Sequence, residues 1–286
     1  MKRRRLILFG ALALLAAGVV ALWPRGPKEP VYQGKKLSEW LADLDYSGNF
    51  ADLASIKAVQ HLGKDVLPHL EPMLHAQDSL LKLRVVKLLR KQSVIEVRFT
   101  PASQQRLQAA AACRALRDLA TGYVPELTVM LNGTNSTEAW FGMSALLDVK
   151  GRSNCVPEMI MGLTNSYNRV RWFSAGVLGE VWGHAGYALP ALVRCLNDPD
   201  PRVRESAIHT LAKFKTEGAL IVPAFIQCLD SPHAPTRTEA ATYLTSFGTN
   251  AEPARDKLSE LLKDSDSEVQ RSARSALNTL NRLRKP

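Results

Sequence analysis

Three columns of residues recur along this chain at intervals of 32 or 33 positions, and they constrain the fold more than any other feature. Two of the columns consist of leucines and the third consists of prolines. Their members are Leu131, Leu163, Leu196, Leu229 and Leu262; Leu146, Leu178, Leu211, Leu244 and Leu277; and Pro125, Pro157, Pro190 and Pro223. Three columns in one register indicate a repeated unit that stacks on copies of itself to bury its apolar residues.

Each repeated unit is predicted to contain two helices. The first helix follows a polar turn, and it places a small residue and then a leucine at successive intervals of four positions on one helical face. The small residues are Ser174, Ala207, Ala240 and Ala273. The second helix begins near the proline column, because proline is tolerated in the first turn of a helix. These patterns predict an all-α fold, an α-solenoid of stacked helix pairs.

The solenoid is predicted to occupy residues 37–286, with about six or seven repeats. Residues 37–44 form a short helix that caps its N-terminal end, and residues 266–284 supply a first helix without a partner. Such half-repeats commonly cap solenoids. Residues 92–101 interrupt the period and are predicted to be a nonhelical insertion.

The repeat sequence resembles HEAT repeats, particularly the short bacterial kind also found in phycobilisome-lyase-type proteins. The residues that carry this resemblance are Asp198–Ala207, Leu211 and Val222–Pro223. The segment Tyr32–Leu41 also resembles the corresponding segment of uncharacterised membrane-anchored HEAT-repeat proteins of bacteria. The resemblance covers residues 50–284, and it implies an architecture without implying an activity.

The N-terminal part of the chain has the pattern of a membrane signal. A basic prefix, residues 1–5, precedes an uncharged apolar segment, residues 6–23, and a proline-rich linker, residues 24–36. An apolar helix of that length spans about 27 Å, close to the thickness of a bilayer core. The pattern predicts a retained transmembrane anchor with a cytoplasmic N-terminus and a periplasmic or extracytoplasmic solenoid. Cleavage of the segment near Ala21, which would release a secreted protein, is the alternative.

The charge of the chain gives little support to nucleic-acid binding. The net charge is +10, but residues 1–30 hold six basic residues and one acidic residue, so half of that charge belongs to the N-terminal segment. A nucleic-acid-binding domain needs a concentrated basic face. We therefore expect no nucleic-acid partner.

Motifs that would indicate catalysis or metal binding are not found in the sequence. The four cysteines, Cys113, Cys155, Cys195 and Cys228, are too widely spaced for a zinc or redox motif and are expected to be small buried residues. The six histidines form no pair of the kind that binds zinc in helical protease motifs. The prediction is therefore a protein that is not an enzyme, with no cofactor, no metal ligands and no small-molecule substrate.

Three arginines, Arg171, Arg204 and Arg237, form another column at the spacing of the repeat. Acidic residues such as Asp198 occur in the turns between repeats. We interpret the column as a ladder that links adjacent repeats. A stripe that binds phosphate groups is the alternative interpretation.

The function predicted from these features is that of a noncatalytic, membrane-tethered scaffold that binds a protein partner. Second helices are expected to line the concave side of the solenoid, where such proteins commonly bind. The candidate partner-binding residues are Glu158, Met161, Arg194, Gln227, Lys257 and Glu260. An alternative aromatic patch comprises Trp140, Trp172 and Phe173. The other functions considered are a cofactor-handling or lyase-type HEAT protein and a HEAT-fold nucleic-acid-binding protein.

Overall fold

The computed structural model describes residues 27–44, 53–89, 99–181, 183 and 186–283. The described chain begins with a small antiparallel hairpin in which β1 (Val31–Tyr32) pairs with β2 (Lys35–Lys36). The hairpin leads directly into α1 (Leu37–Asp43), which buries Leu37, Trp40 and Leu41. The end of the predicted linker is therefore a hairpin that is tied to the N-terminal helix.

The rest of the described chain is a succession of helices. They are α2 (Leu53–Leu62), α3 (Leu67–Leu74), α4 (Leu80–Leu89), α5 (Ala102–Leu116), α6 (Val124–Leu131), α7 (Ser136–Lys150), α8 (Val156–Gly162), α9 (Asn168–Glu180), α10 (Leu189–Cys195), α11 (Pro201–Leu211), α12 (Gly218–Cys228), α13 (Ala234–Leu244), α14 (Arg255–Glu260) and α15 (Ser267–Leu283). Short 3₁₀ turns connect the two helices within each pair.

The helices form the stacked pairs that the columns predict. The pairs are α2 with α3, α5 with α6, α7 with α8, α9 with α10, α11 with α12, and α13 with α14. The first helices of successive pairs pack against one another, for example α9 on α11 and α13 on α15. Helix α4 lies outside this pairing, and α15 occupies the predicted half-repeat. Most of the predicted insertion at residues 92–101 lies outside the described residues, namely residues 92–98.

Prolines begin four of the second helices, namely the first three members of the proline column and Pro68 in an earlier pair. Pro68, Pro125, Pro157 and Pro190 each lie in the first turn of a helix, where the missing N–H group has no helical partner to lose. Helix α12 is different, because it begins at Gly218 and places Pro223 in its interior. The helix begins a turn before Pro223, so this proline removes one backbone hydrogen bond and its ring crowds the preceding turn.

The two leucine columns and the small-residue column form the core. Leu146, Leu178, Leu211 and Leu244 are fully buried, as are Ser174, Ala207, Ala240 and Ala273. Small residues allow close helix packing, and Gly142 on α7 shows how close: a Cβ atom there would lie 2.7 Å from the carbonyl oxygen of Leu127 on α6. The four cysteines are buried, as predicted.

The arginine column joins neighbouring repeats through hydrogen bonds. Arg171 donates from Nε and Nη2 to the carboxylate of Asp198, at 2.7 and 2.9 Å. Arg237 makes the same two bonds with Asp264, at 2.8 and 2.7 Å, and holds the pKa of that carboxyl below its usual value. Both arginines also donate to backbone carbonyls of the preceding turn. These contacts support the ladder interpretation of the column.

Arg204 lies between these two arginines in the column but contacts no carboxylate in this way. It is buried, and it donates to the hydroxyl of Thr236 and to the backbone carbonyls of Asp198 and Pro199. The position that corresponds to Asp198 and Asp264, one repeat from each, is occupied by Ser231. The ladder therefore lacks one carboxylate.

Replacing Ser231 with Asp is expected to supply the missing carboxylate. The new side chain would accept hydrogen bonds from Arg204 and from the backbone N–H of His233, which already donates to the Ser231 hydroxyl at 3.3 Å. Charge-assisted hydrogen bonds contribute about 1.5–3 kcal/mol, so we expect the free energy of unfolding to rise by about 1 kcal/mol or more. Urea denaturation measures this change. The uncharged control Ser231→Asn, which has the shape of Asp, should give a smaller gain, and an equal gain would contradict the role of the charge.

The predicted membrane topology requires correction. None of the described helices is long and apolar enough to cross a membrane. The longest of them, α15, has 17 residues and carries several charged side chains, whereas a spanning helix needs about 20 mostly apolar residues. The prediction of a single-pass membrane protein with an extracytoplasmic solenoid is therefore wrong for the part of the chain that the structure describes. Residues 1–5 and 6–23, on which it was based, lie outside that part.

Candidate interaction surfaces

The second helices expose a column of side chains, one from each successive repeat. We define the exposed column as Val129, Met161, Arg194, Gln227 and Glu260. Each member is exposed and lies two positions before a leucine of the first leucine column. Val129 is 72% exposed and Met161 is 42% exposed, although both are large apolar residues. The column is therefore apolar at its N-terminal end and polar or charged at its C-terminal end.

Four of the predicted partner-binding residues belong to the exposed column, but Glu158 does not lie on the surface. Glu158 is only 8% exposed, and its carboxylate accepts a hydrogen bond from the ammonium group of Lys150 at 2.5 Å. Positions that directly follow the proline column face the core, because Ala191 and Ala224 are buried there as well. The expectation that Glu158 would be exposed was therefore wrong.

Lys257 is engaged with two acidic side chains. Its ammonium group lies 2.7 Å from the carboxylate of Asp230 and 3.1 Å from that of Glu260. These hydrogen bonds raise the pKa of Lys257 above its usual value. The ammonium group of Lys257 therefore links two successive repeats at the C-terminal end of the exposed column. Its positive charge is partly neutralised by the two carboxylates.

Val129 was missed in the sequence analysis. It precedes Met161 by the same interval that separates Leu131 from Leu163. The register of the leucine column could therefore have identified it.

The aromatic patch consists of one exposed side chain and a cluster that joins two repeats. The rings of Trp140 on α7 and Phe173 on α9 meet edge to face, with centroids 4.6 Å apart. The guanidinium of Arg169 lies 4.0 Å above the Trp140 ring, in a cation–π arrangement. Trp172 is 40% exposed on the other side of α9. Trp140 and Phe173 therefore pack between repeats, and Trp172 is the accessible member of the patch.

Trp172 borders a shallow depression of about 390 Å³ between α9 and α11. Its other lining residues are Gly176, Arg202, Glu205, Ser206, His209, Thr210 and Lys213. Lys213 donates to the backbone carbonyl of Gly179, and Arg202 contacts the carboxylate of Asp200. The depression is open to solvent, which is unlike the enclosed pockets that hold most small ligands and cofactors.

A cluster of three ionisable side chains lies beside this depression. Glu205 and His209 are one helical turn apart on α11, and Glu239 faces them from α13. Burial and the nearby carboxylate of Glu205 raise the pKa of Glu239 to about 7. The ring of Tyr243, one turn after Glu239, packs against the imidazole of His209 with centroids 5.3 Å apart. No role was predicted for these residues from the sequence.

The buried cysteines do not provide a reactive group. Burial raises the pKa of the thiols of Cys113 and Cys155 to about 12, and that of Cys195 and Cys228 to about 11. Because the thiolate is the reactive and metal-binding form, these residues are inert at neutral pH.

Comparisons with known proteins point to a single type of repeat. Residues 156–222 match the family described as HEAT repeats. No curated protein sequence matches the chain.

Solved structures resemble the chain only distantly. A crystal structure of an engineered protein is 22% identical, with a TM-score of 0.45, and the match covers 70% of this chain and 96% of the other. A second engineered protein is 17% identical, with a TM-score of 0.40 and coverage of 86% and 98%. A mutant of Kap121p is 15% identical, with a TM-score of 0.46, and the match covers 86% of this chain but only 30% of that protein.

The family match covers α8, α9, α10, α11 and the start of α12, so it contains the complete pair of α9 with α10 and part of the pairs on either side. The same columns of leucine and proline extend on both sides of it. Residues 156–222 are therefore similar to HEAT repeats, and the described residues as a whole form a helical solenoid.

Proposed function

We propose that this protein is a noncatalytic scaffold that binds a protein partner along the exposed column. The proposal is supported by a single observation: the leucine column is nearly uniform and buried, whereas the side chains two positions earlier are exposed and differ in every repeat. The leucine column has to stay the same because it packs neighbouring repeats together. The residues of the exposed column are not needed for packing, so they can vary to match a partner, and stacked repeats commonly offer such extended surfaces.

The composition of the exposed column favours a protein segment as the partner. Val129 and Met161 offer adjacent apolar contacts on rigid helices, and Arg194 and Glu260 offer charges of opposite sign. Neighbouring helices lie about 8–10 Å apart, so these residues could contact a helix or an extended segment over several repeats. Protein interfaces combine an apolar core with a polar rim in a similar way.

The same composition gives less support to the alternative functions. A column with both arginine and glutamate would attract and repel a phosphate backbone at different repeats, whereas nucleic-acid-binding surfaces concentrate positive charge. A lyase-type or cofactor-handling protein would need convergent polar groups in an enclosed pocket. The exposed column has no such pocket among the described cavities.

Changing the apolar end of the column should weaken partner binding. We expect the double variant Val129→Asp/Met161→Asp to capture the partner from a crosslinked cell extract about tenfold less well, because buried apolar contacts dominate interface energies. Both side chains are exposed, so the free energy of unfolding should change by less than about 1 kcal/mol. Quantitative mass spectrometry of the captured proteins measures the effect.

The variant Trp172→Ser provides the matched comparison, because Trp172 is an exposed apolar residue on a first helix. The Trp172→Ser variant should capture as much of the partner protein as the unchanged protein does. If capture survives the double substitution and is lost in Trp172→Ser, the partner binds the first helices and the proposed surface is wrong.

A further inference from the structure

The cluster of Glu205, His209 and Glu239 has the composition of a metal-binding site. Two carboxylates and one imidazole are ligand types that zinc and related divalent metals accept. Glu205 and His209 are four positions apart, so they project from the same face of α11. Glu239 comes from α13, which packs against α11. Two rigid helices therefore present all three groups to a common point.

The distances within the cluster are close to those that a metal ion requires. One candidate ligand atom from each residue lies within 4.8 Å of the others. The Nε2 atom of His209 lies 3.9 Å from the Oε1 atom of Glu239. Zinc binds such atoms at about 2.0–2.2 Å, so two ligands of one ion lie at most about 4.4 Å apart. Small side-chain rotations are enough to complete the geometry.

The repeats themselves show that the fold does not require this combination. At the preceding interface, one repeat earlier, the equivalent positions hold Trp172, Gly176 and Ser206. At the following interface they hold Thr238, Thr242 and Ser272. Neither set could bind a metal through an imidazole and two carboxylates. The three ligands therefore occur together at one of three structurally equivalent interfaces.

The arginine and lysine side chains near the cluster form their hydrogen bonds and ion pairs with other groups, although the charge of Arg204 still lowers the pKa of Glu239. Arg204 is committed to Thr236 and to backbone carbonyls, and Lys213 donates to the carbonyl of Gly179. Arg202 contacts Asp200. The imidazole of His209 is held in place by the ring of Tyr243. A divalent cation would compensate both carboxylates and would use the nitrogen that already faces Glu239.

From these observations we propose that Glu205, His209 and Glu239 form a binding site for a divalent transition metal of the zinc class. The site links two adjacent repeats, and water molecules would complete the coordination because the cluster is open on its outer side. It is separate from the exposed column, since it lies on the first helices.

Titration of the full-length protein with zinc by isothermal calorimetry tests this site. We expect one zinc ion to bind tightly to each protein molecule. The affinity for zinc should fall about 10-fold or more in His209→Ala and in Glu239→Gln, because even groups that only orient metal ligands contribute about 10–100-fold to affinity. Glu239→Gln keeps the shape of the side chain, and His209 is exposed, so both variants should remain folded. Circular dichroism spectra of each variant verify this.

His233→Ala is the matched control, because His233 is an exposed histidine just before α13 and outside the cluster. It should bind zinc as the unchanged protein does. Cobalt gives a second readout, since its visible absorption bands should appear in the unchanged protein and be lost in His209→Ala. The proposal would be overturned if no zinc ion bound tightly, or if neither cluster substitution weakened zinc binding.

Discussion

Replacing Asp198 with Ala is expected to lower the free energy of unfolding by about 3–5 kcal/mol, the usual cost of removing one partner of a buried ion pair. The substitution leaves the guanidinium of Arg171 without its two carboxylate bonds in a site where both side chains are largely buried. It also removes the acceptor for the backbone N–H of Asp200, in the turn that begins α11. Urea denaturation monitored by circular dichroism measures the change.

An exposed ion pair provides the control for this prediction. Arg271 and Glu268 interact at 2.8 Å on α15, and both side chains are mostly exposed. Glu268→Ala should therefore cost less than about 1 kcal/mol. A similarly small loss for Asp198→Ala would show that the arginine ladder does not hold the repeats together.

Replacing Leu211 with Ala should cost about 2–5 kcal/mol, because the change removes a large side chain from the core and leaves a cavity. Leu211 is completely buried in the column that it shares with Leu178 and Leu244. The loss should be concentrated in neighbouring repeats, because each repeat contacts only its neighbours. Hydrogen exchange should therefore accelerate in α9, α11 and α13 and stay nearly unchanged in α5.

Leu220→Ala is the matched control for the core substitution, because Leu220 is 46% exposed on α12. It should change the free energy of unfolding by less than about 1 kcal/mol. If Leu211→Ala lowered the free energy of unfolding by as little as Leu220→Ala does, the register of the leucine columns would be wrong.

The fold could be predicted largely from spacing. The regular interval between repeats placed the leucine and small-residue columns in the core, and the structure buries them except for Leu262 and Leu277 at the C-terminal end, which are partly buried. Three prolines of the predicted column began second helices as expected, because that position makes no demand on the missing N–H group. The start of α12 at Gly218 was not predicted, because proline is disfavoured inside a helix and the proline column therefore indicated a start at Pro223.

The candidate surfaces were predictable to a smaller extent. Met161, Arg194, Gln227 and Glu260 are exposed as expected, but Glu158 is buried beside Lys150. A one-position step on a helix turns a side chain by about 100°, so small errors in the assumed face reverse exposure. Arg204 was grouped with Arg171 and Arg237, yet only the structure shows that Ser231 leaves it without a carboxylate partner.

The cluster of Glu205, His209 and Glu239 could not be predicted from motifs, because its third member lies in the next repeat, far from His209 in the sequence. Metal motifs that are recognised in sequences usually have ligands on one helix or loop. The register of the repeats would have placed Glu239 next to Ser206, and hence near Glu205. Which of these side chains turn toward each other depends on packing that spacing does not specify.

Crosslinking from defined positions tests the central claim of a protein-binding column most directly. A photoreactive amino acid would be placed in turn at positions 129, 161, 172 and 220 of the full chain, and the adducts formed in cells would be identified by mass spectrometry. We expect positions 129 and 161 to give the same protein adduct and positions 172 and 220 not to give it. An adduct that forms only from position 172, or equally from all four positions, would contradict the assignment of the partner to the exposed column.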